Sequence, residues 1–328
     1  MKIGILGGSG LLGHHIAIQA LLHQHELVLI HRANTDQSKI ADLTYESRIA
    51  DLNDRGSLIR AFAGLDAVVN AAAYYPTIPK PLAQEVKTAR LQMKFFLDAL
   101  SENKIAKALY VGGSIAIPKR TDRLANEGDI YTKAPELNSA YLHVKYLMDE
   151  MAREAGKDGL PIVVGIPTMT FGEYDFGPST GRLITAVANQ KLPAYIHGER
   201  NVVFGRDAGR GLLYALEKGT AGERYIIGGH NTDIKTLVEL ICQKAEIPLL
   251  EKTMPLRLAK IISKFQETRY ALFRGELPTL SDTAITVLSQ GQHLNMVKAK
   301  KELGYEPELD LQDTINLTYN WFKKVGYV

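Results

Sequence analysis

Tyr141 and Lys145 lie four residues apart in Tyr141-Leu-His-Val-Lys145, a spacing that puts both side chains on one face of a helix. An ammonium beside a phenol favours phenolate. The pair is therefore expected to draw the Tyr141 pKa from about 10 toward neutrality and to serve as a general acid/base. Tyr-x-x-x-Lys alone recurs by chance, and two further features give it weight. Ser114 closes the run Ala108-Leu-Tyr-Val-Gly-Gly-Ser114 and puts a hydroxyl at the end of an expected strand. The chain also opens with Lys2-Ile-Gly-Ile-Leu-Gly-Gly-Ser-Gly-Leu-Leu-Gly13, whose glycines 7, 8, 10 and 13 fit both G-x-G-x-x-G and G-x-x-G-x-x-G. Between a strand and a helix, such glycines allow a tight turn, close approach of backbone N–H groups to a pyrophosphate, and close helix packing. Leu11 and Leu12 then begin a helix whose N-terminus favours phosphate. A dinucleotide site at Gly7, Gly10, Leu11, Leu12 and Gly13 is the expectation.

The elements that must position these groups follow in order. Ile3, Ile5 and Leu6 form a short buried strand, a helix runs through Leu22, and Glu26-Leu-Val-Leu-Ile30 reads as a second strand. An acid closing that strand would bind the ribose hydroxyls of NAD, but the chain has His31-Arg32 and no acid before Asp36. The planar fork of Arg32 suits a 2′-phosphate, which predicts NADP(H) over NAD(H); a solvated surface Arg is the alternative. A third short strand over Arg48-Ile-Ala-Asp-Leu-Asn-Asp54 is expected to end in Asp51-Leu52. That carboxylate and apolar side chain suit the adenine amino group and ring, although Asp51 reads equally well as a helix cap for Arg55 onward. Asp66 to Ala73 forms the fourth strand, where Ala71 and Ala72 leave room for a cofactor. Tyr74 and Tyr75, in the loop beyond it, are candidates for the substrate pocket or for plain packing. A helix from about Leu82 to Glu102 leads to the strand ending at Ser114.

Composition bounds the class. The chain has 328 residues, 45% hydrophobic and 23% charged, with a formal net charge of +3, the balance of an ordinary enzyme with a large core. No Lys/Arg run is long enough for a nucleic-acid patch, so no nucleic-acid partner is expected. The lone Cys242 lies in an apolar helical pattern and reads as a buried inert thiol. His14 and His15 read as packing or surface residues, and none of the nine histidines shows metal-ligand spacing, so no metal is expected. No apolar run approaches the length of a membrane span, and the N-terminus opens directly into a strand. A cytoplasmic protein without membrane association is the expectation.

Taken together, these residues resemble the extended short-chain dehydrogenase/reductase superfamily of NAD(P)-dependent epimerases, dehydratases and reductases. The matching features are the Gly7/Gly10/Gly13 turn, Asp51-Leu52, Asn70-Ala71-Ala72, Ser114, and Tyr141 with Lys145. Gly165-Ile-Pro-Thr168 resembles the family's sixth strand, with Pro167 and Thr168 in the loop beside the nicotinamide. Pro178 to Arg182, Arg206-Asp207-Ala208, Gly222 to Ile227, Glu302 to Tyr305 and Trp321-Phe322 are similar to the dihydroflavonol-4-reductase-like and hopanoid-associated sugar epimerase branch. The resemblance implies that Ser114 holds a substrate carbonyl oxygen, that Tyr141 exchanges its proton, and that Lys145 binds the nicotinamide ribose and tunes Tyr141. It also implies a homodimer as a possible assembly, for which Phe95, Phe96 and Leu97 offer an apolar helix face. Two departures matter. Ser114 is followed by Ile115-Ala116-Ile117 rather than the acidic pair of family dehydratases, and Ala89 to Met93 replaces the family's Asn-Val-x-Gly-Thr. Sugar dehydration is therefore not expected, and a typical nucleotide-sugar epimerase is less well supported.

The resulting reading is an α/β protein, a Rossmann-type doubly wound parallel sheet with a smaller C-terminal α+β substrate domain. Residues 1–167 form the NAD(P)-binding part, with 203–228 returning to it, and 168–202 with 229–328 form the substrate part. Tyr174, Phe176, Arg182, Tyr195 and His197 could line the pocket, with Arg182 suited to a phosphate or carboxylate and otherwise a helix-surface residue. The basic amphipathic stretch from Leu249 to Leu280 reads as a helical lid, with membrane or partner contact as the other account. The function expected is NADP(H)-dependent oxidoreduction of a carbonyl or alcohol on a small molecule. Epimerisation of a sugar nucleotide with tightly bound NAD(P), and a non-catalytic redox sensor, are the alternatives.

Overall fold

Ile3 and Ile5 point to one side of the first strand and Leu6 to the other, and both sides are buried; that single fact dictates a sheet covered on two faces. The computed structural model describes residues 1–72, 74–76, 80–137, 139–273 and 281–328. In chain order it runs β1 (Lys2–Leu6), α1 (Leu11–Leu22), β2 (Glu26–His31), β3 (Glu46–Ile49), α2 (Arg55–Phe62), β4 (Ala67–Asn70), α3 (Leu82–Glu102), β5 (Lys107–Val111), α4 (Ala140–Lys157) and β6 (Ile162–Pro167). It continues through β7 (Met169–Phe171), α5 (Arg182–Ala188), β8 (Glu199–Phe204), α6 (Gly205–Lys218), β9 (Arg224–Ile227), β10 (His230–Asp233), α7 (Ile234–Ala245), α8 (Leu256–Phe273), α9 (Asp282–Ser289) and α10 (Leu311–Lys324).

The main sheet has seven strands in the order β3-β2-β1-β4-β5-β6-β9, every neighbouring pair parallel. Alternation splits its side chains between two cores. Val28, Ile30, Val68, Tyr110 and Val164 pack under α2, α3 and α4 with Phe62, Phe96 and Met148. Leu29, Val69, Leu109, Val163 and Tyr225 pack under α1 and α6 with Ile16, Ala20 and Leu212. A three-stranded sheet, β10-β8-β7, lies apart from it. Its Phe171 and Val202 share a third core with α5, α7 and α10, and Cys242 is buried there.

Several expectations are corrected in detail. The third strand stops at Ile49, so Asp51-Leu52 lies in the turn beyond it. The Asp51 carboxylate accepts from the backbone N–H and the amide of Asn53, and it is Asp54 that caps α2 by accepting from Ser57. Phe96 is fully buried edge-on against Phe62, so it is not part of any exposed apolar face on α3; Phe95 and Leu97 are partly buried. α8 packs on α9 around Ile196, Ala259 and Ile285 and presents Leu258, Ile261, Phe265, Leu272 and Phe273 to solvent. Arg274 and Leu280, the last residues of that stretch, lie outside the described residues, as does Ala73 of the expected fourth strand. Among the described residues no helix is long and apolar enough to cross a membrane.

What places α1 is the glycine turn. Gly7 has φ +86°, and a Cβ there would lie 2.8 Å from the backbone of Ala71 and Ala72 at the end of β4. A Cβ on Gly13 would lie 2.2 Å from the Gly7 carbonyl oxygen. Backbone cannot yield as a side-chain tip can. Gly13→Ala is therefore expected to cost about 2–3 kcal/mol through overpacking. Gly64 has φ +71° with nothing within 4 Å of its Cβ position, so Gly64→Ala should cost only about 1 kcal/mol of backbone strain. Urea unfolding of both variants without nucleotide decides the point; equal losses would show that the Gly13 contact does not constrain α1.

Candidate active site

The C-terminal ends of β1, β2, β4, β5 and β6 meet at one edge of the main sheet, where loops in an open α/β sheet carry ligand contacts. Gly10 is the N-cap of α1; it is exposed, and a Cβ there would meet only the Gly7 oxygen, at 3.5 Å. No side chain caps this helix and no acid stands in its first turn. The N–H groups of Leu11 and Leu12 have no intrahelical acceptor and the dipole there is uncompensated, which is the arrangement a phosphate requires.

At the ends of β4 and β6 and at the start of α4 stand polar atoms that the fold leaves unused. Asn70, fully buried at the end of β4, accepts from the Ala72 N–H, but its Nδ2 has no partner. The Thr168 hydroxyl, just past Pro167 at the end of β6, is buried and unpartnered. Ser139 occupies the N-cap position of α4, yet its buried hydroxyl caps nothing and bonds to nothing. A buried unpaired hydroxyl costs free energy unless a ligand uses it. These residues fit a polar, phosphate-bearing dinucleotide laid across the strand ends. The sequence signal that could have found Ser139 is its type at a helix start, but that signal points to capping rather than to a spare hydroxyl.

Ser114 opens the 3₁₀ turn Ser114–Ala116 directly after β5. Tyr141 enters from the first turn of α4, and its hydroxyl lies 3.9 Å from where a Gly113 Cβ would be. The fold thus brings Tyr141 to the backbone beside Ser114. Lys145, one turn further on, is 7% exposed, and no carboxylate pairs with it among the described residues. Burial alone draws its pKa down to about 8. Burial also pushes the Tyr141 phenol well above its ordinary value, and the neighbouring Tyr75 adds to the rise. The expectation that Lys145 brings Tyr141 toward neutrality is therefore overturned for the ligand-free protein, because desolvation of the phenol outweighs any attraction from an amine that is itself desolvated.

Tyr75 packs on Tyr141 with ring centroids 4.8 Å apart. Burial raises its pKa, and the positive charge of Arg182 opposes the rise. Arg182 begins α5 and is exposed. Of the three substrate candidates Tyr75 meets Tyr141 directly, and Arg182 bears on Tyr75 through its charge. Tyr74 does neither: it bonds to the buried Glu85 of α3 and packs on the core beneath. Arg32 is exposed just past β2, with no ion pair among the described residues. Asp51 is engaged in its local turn, Leu52 is buried, and Ala71 and Ala72 are half-buried against Gly7. Tyr195 is buried and bonded through its backbone to Lys252 and Met254, with His197 at its edge. His14 and His15 are both buried; His14 stacks on Tyr174 at 3.7 Å and hydrogen-bonds Asp42, while Tyr174 and Phe176 also meet Trp321. Burial drives His15 down to about 3. That aromatic cluster had no legible pattern, because its members come from three separate segments.

The chain is 36% identical to a solved nucleoside-diphosphate-sugar epimerase of Pseudomonas aeruginosa, with a TM-score of 0.86 over 100% of this chain and 99% of that one. It is 25% identical to a dihydroflavonol 4-reductase-like protein of Synechocystis sp., over 99% of this chain and 95% of the relative. It is 23% identical to sterol demethylase protein B of Methylococcus capsulatus, over 99% of both. Residues 3–228 match the model of the NAD dependent epimerase/dehydratase family, and the chain accordingly belongs to that family of NAD(P)-dependent enzymes, within the extended short-chain dehydrogenase/reductases.

Proposed function

We propose that the protein is an NADP(H)-dependent oxidoreductase acting on a carbonyl or alcohol of a small molecule, with Tyr141 as the proton carrier. The observation that carries this reading is the convergence of Tyr141, the Gly113–Ser114 backbone, and the buried, carboxylate-free Lys145 at the same sheet edge as the uncapped α1 N-terminus. In this reading Gly7, Gly10, Leu11, Leu12 and Gly13 hold the pyrophosphate, Asp51 and Leu52 border the adenine, and Ala71, Ala72, Pro167 and Thr168 flank the nicotinamide end. Arg32 takes the 2′-phosphate. Bound NADP(H) supplies or accepts the hydride.

The chain's own residues supply the rest. Ser114 donates a hydrogen bond from its hydroxyl to the substrate oxygen, keeping its own proton, and fixes the carbonyl in place. Tyr141, kept protonated by burial, gives its proton to that oxygen as negative charge develops during reduction. Lys145 then restores the proton or stabilises the phenolate, a task for which a pKa of about 8 is well placed. Tyr75 covers Tyr141 and excludes water, and Arg182 brings a positive charge to the outer end of the substrate.

The epimerase reading is favoured by one observation, the 36% identity to a nucleoside-diphosphate-sugar epimerase. It uses the same Ser114, Tyr141 and Lys145 but keeps its dinucleotide through the cycle. Absorbance at the reduced-nicotinamide band separates the two. Stoichiometric loss of NADPH with one compound from a panel of aldehydes, ketones and sterol-like ketones supports the oxidoreductase. A flat trace, with dinucleotide retained through purification and interconversion of a sugar nucleotide, supports the epimerase. Nucleotide binding with neither activity would return weight to a redox sensor.

Three outcomes test the residue roles. Tyr141→Phe should lower kcat by about 10²–10⁴-fold with the dinucleotide Kd unchanged; full activity would remove Tyr141 from the reaction. Arg32→Ser should weaken NADPH binding about tenfold while leaving NADH binding as it was, and equal effects on both would refute the 2′-phosphate contact. The third concerns pH. Lys145 has a folded pKa of about 8 against 10.5 in its ordinary setting, so the unfolded chain holds the proton more tightly and stability rises with pH between those values. Lys145→Met should therefore stabilise the ligand-free protein by about 2–3 kcal/mol at pH 7, with the gain vanishing above pH 10.5. Denaturation of both proteins at the two pH values measures it, and a pH-independent difference would contradict the depressed pKa.

A further inference from the structure

The end of α1 remote from the glycine turn carries a second cluster of ligating groups that the proposed reaction does not use. His23 is the C-cap of α1, His25 leads into β2, and Glu217 is the penultimate residue of α6. His23 Nδ1 lies 3.0 Å and His25 Nε2 lies 2.8 Å from the same oxygen, Glu217 Oε1. All three ligand atoms lie within 4.8 Å of one another. The side chains are 31%, 14% and 18% exposed, so the cluster is partly withdrawn from water yet reachable. A cleft of about 520 Å³ lined by Met1, Lys2, Gln24, His25, Glu26 and Asp66 opens beside it.

On a continuing helix His-x-His would turn its two rings apart. Here α1 ends at Leu22 with His23 as its cap, and Gln24 takes φ +59°, a left-handed conformation that breaks the helical path and lets both rings reach the same Glu217 oxygen. The third ligand stands 192 residues from His25 in sequence, which is why spacing alone gives no sign of the site. Two imidazoles and one carboxylate are a ligand set of first-row divalent metals, zinc above all, with a fourth position left to water.

We propose that His23, His25 and Glu217 bind one divalent transition-metal ion, zinc by preference, which ties the α1–β2 turn to the end of α6. In the metal-free protein Glu217 takes that place by accepting from both rings. Lys107 bonds to the Glu217 carbonyl, which leaves the carboxylate free to the ion. The ion would act on stability rather than on the reaction, because α1 runs its full length between this cluster and the glycine turn.

The test uses the untagged full-length chain stripped with a chelator. Titration with Co²⁺ should give one ion per chain with the visible bands of a four- or five-coordinate site, and Zn²⁺ should displace it and raise the Tm by several degrees. His25→Ala and Glu217→Gln should each abolish the bands and the zinc-dependent shift, with their metal-free Tm showing that they fold. His143→Ala, a histidine elsewhere on the surface, should retain both. Turnover or nucleotide binding by the stripped protein should match that of the loaded protein, so the site stands or falls separately from the proposed oxidoreduction. Sub-stoichiometric Co²⁺ binding, or binding that survives both ligand substitutions, overturns the proposal.

Discussion

The contact on which the rest depends is between two pieces of backbone, the Gly7 carbonyl oxygen and the Cα of Gly13. Any side chain at residue 13 would fill a space that the carbonyl already occupies. The first turn of α1 is thereby pressed against the ends of β1 and β4, and its bare N–H groups are left in the groove where strand order reverses away from β1. The close packing of α1 on α6, with Gly209 against the His15 backbone, then follows. One steric constraint sets both the phosphate cradle and the helix layer that supports it.

A second constraint places α4, the helix that carries Tyr141 and Lys145. Asp149, one turn past Lys145 on the same buried side, bonds Arg153 at 2.8 Å and lies 3.4 Å from Arg224 of β9. Arg224 also donates to the carbonyl oxygens of Glu127 and Asp129 in the loop before α4. Burial raises the Asp149 pKa, and the two guanidinium groups pull against that rise. Such a pair adds little net stability, since desolvation consumes most of the attraction, but losing one partner leaves a buried charge. Its structural effect is to fix helix, strand and loop in one register. Lys145 has no such partner and pays the whole desolvation cost itself. A cationic side chain buried without a counter-ion is an imperfection for folding and an asset for proton exchange.

Much of this was legible in the residues because it is local. The glycine turn, the alternating apolar strands, the bounds of α3 and the Tyr141/Lys145 face all follow from periods of two and 3.6 and from what a Cβ would obstruct. The third strand was expected to end three residues later than it does, because Asp51 and Leu52 look as much like a strand end as like the Asx turn that they form. The electrostatics of Tyr141 was misjudged for a different reason: spacing shows that a lysine is near, while burial of both groups is a property of the whole fold. The Asp149–Arg224 anchor, the His14–Asp42–Tyr174 stack and the His23–His25–Glu217 cluster join segments distant in sequence, and no local pattern marks them.

In the proposed chemistry the difference between reduction and epimerisation does not reside in Ser114, Tyr141 or Lys145, since either reaction would move a hydride and a proton with the same groups. It resides in how long the dinucleotide stays. Arg32 stands in solvent at the rim of the sheet, where an ion pair with a phosphate is screened and exchanges readily. His31 and Arg32 leave no acid at the close of β2 to hold ribose hydroxyls, and the α1 N-terminus would offer a phosphate its backbone dipoles without a side-chain cap. A site built from screened and dipolar contacts suits a dinucleotide that leaves after each turnover, as net reduction requires. Retention through an epimerase cycle would have to come from further contacts made by the segments beyond β6. Those segments also bring Arg182 toward Tyr75, so in the proposed reaction one part of the chain would bear on both substrate choice and cofactor retention.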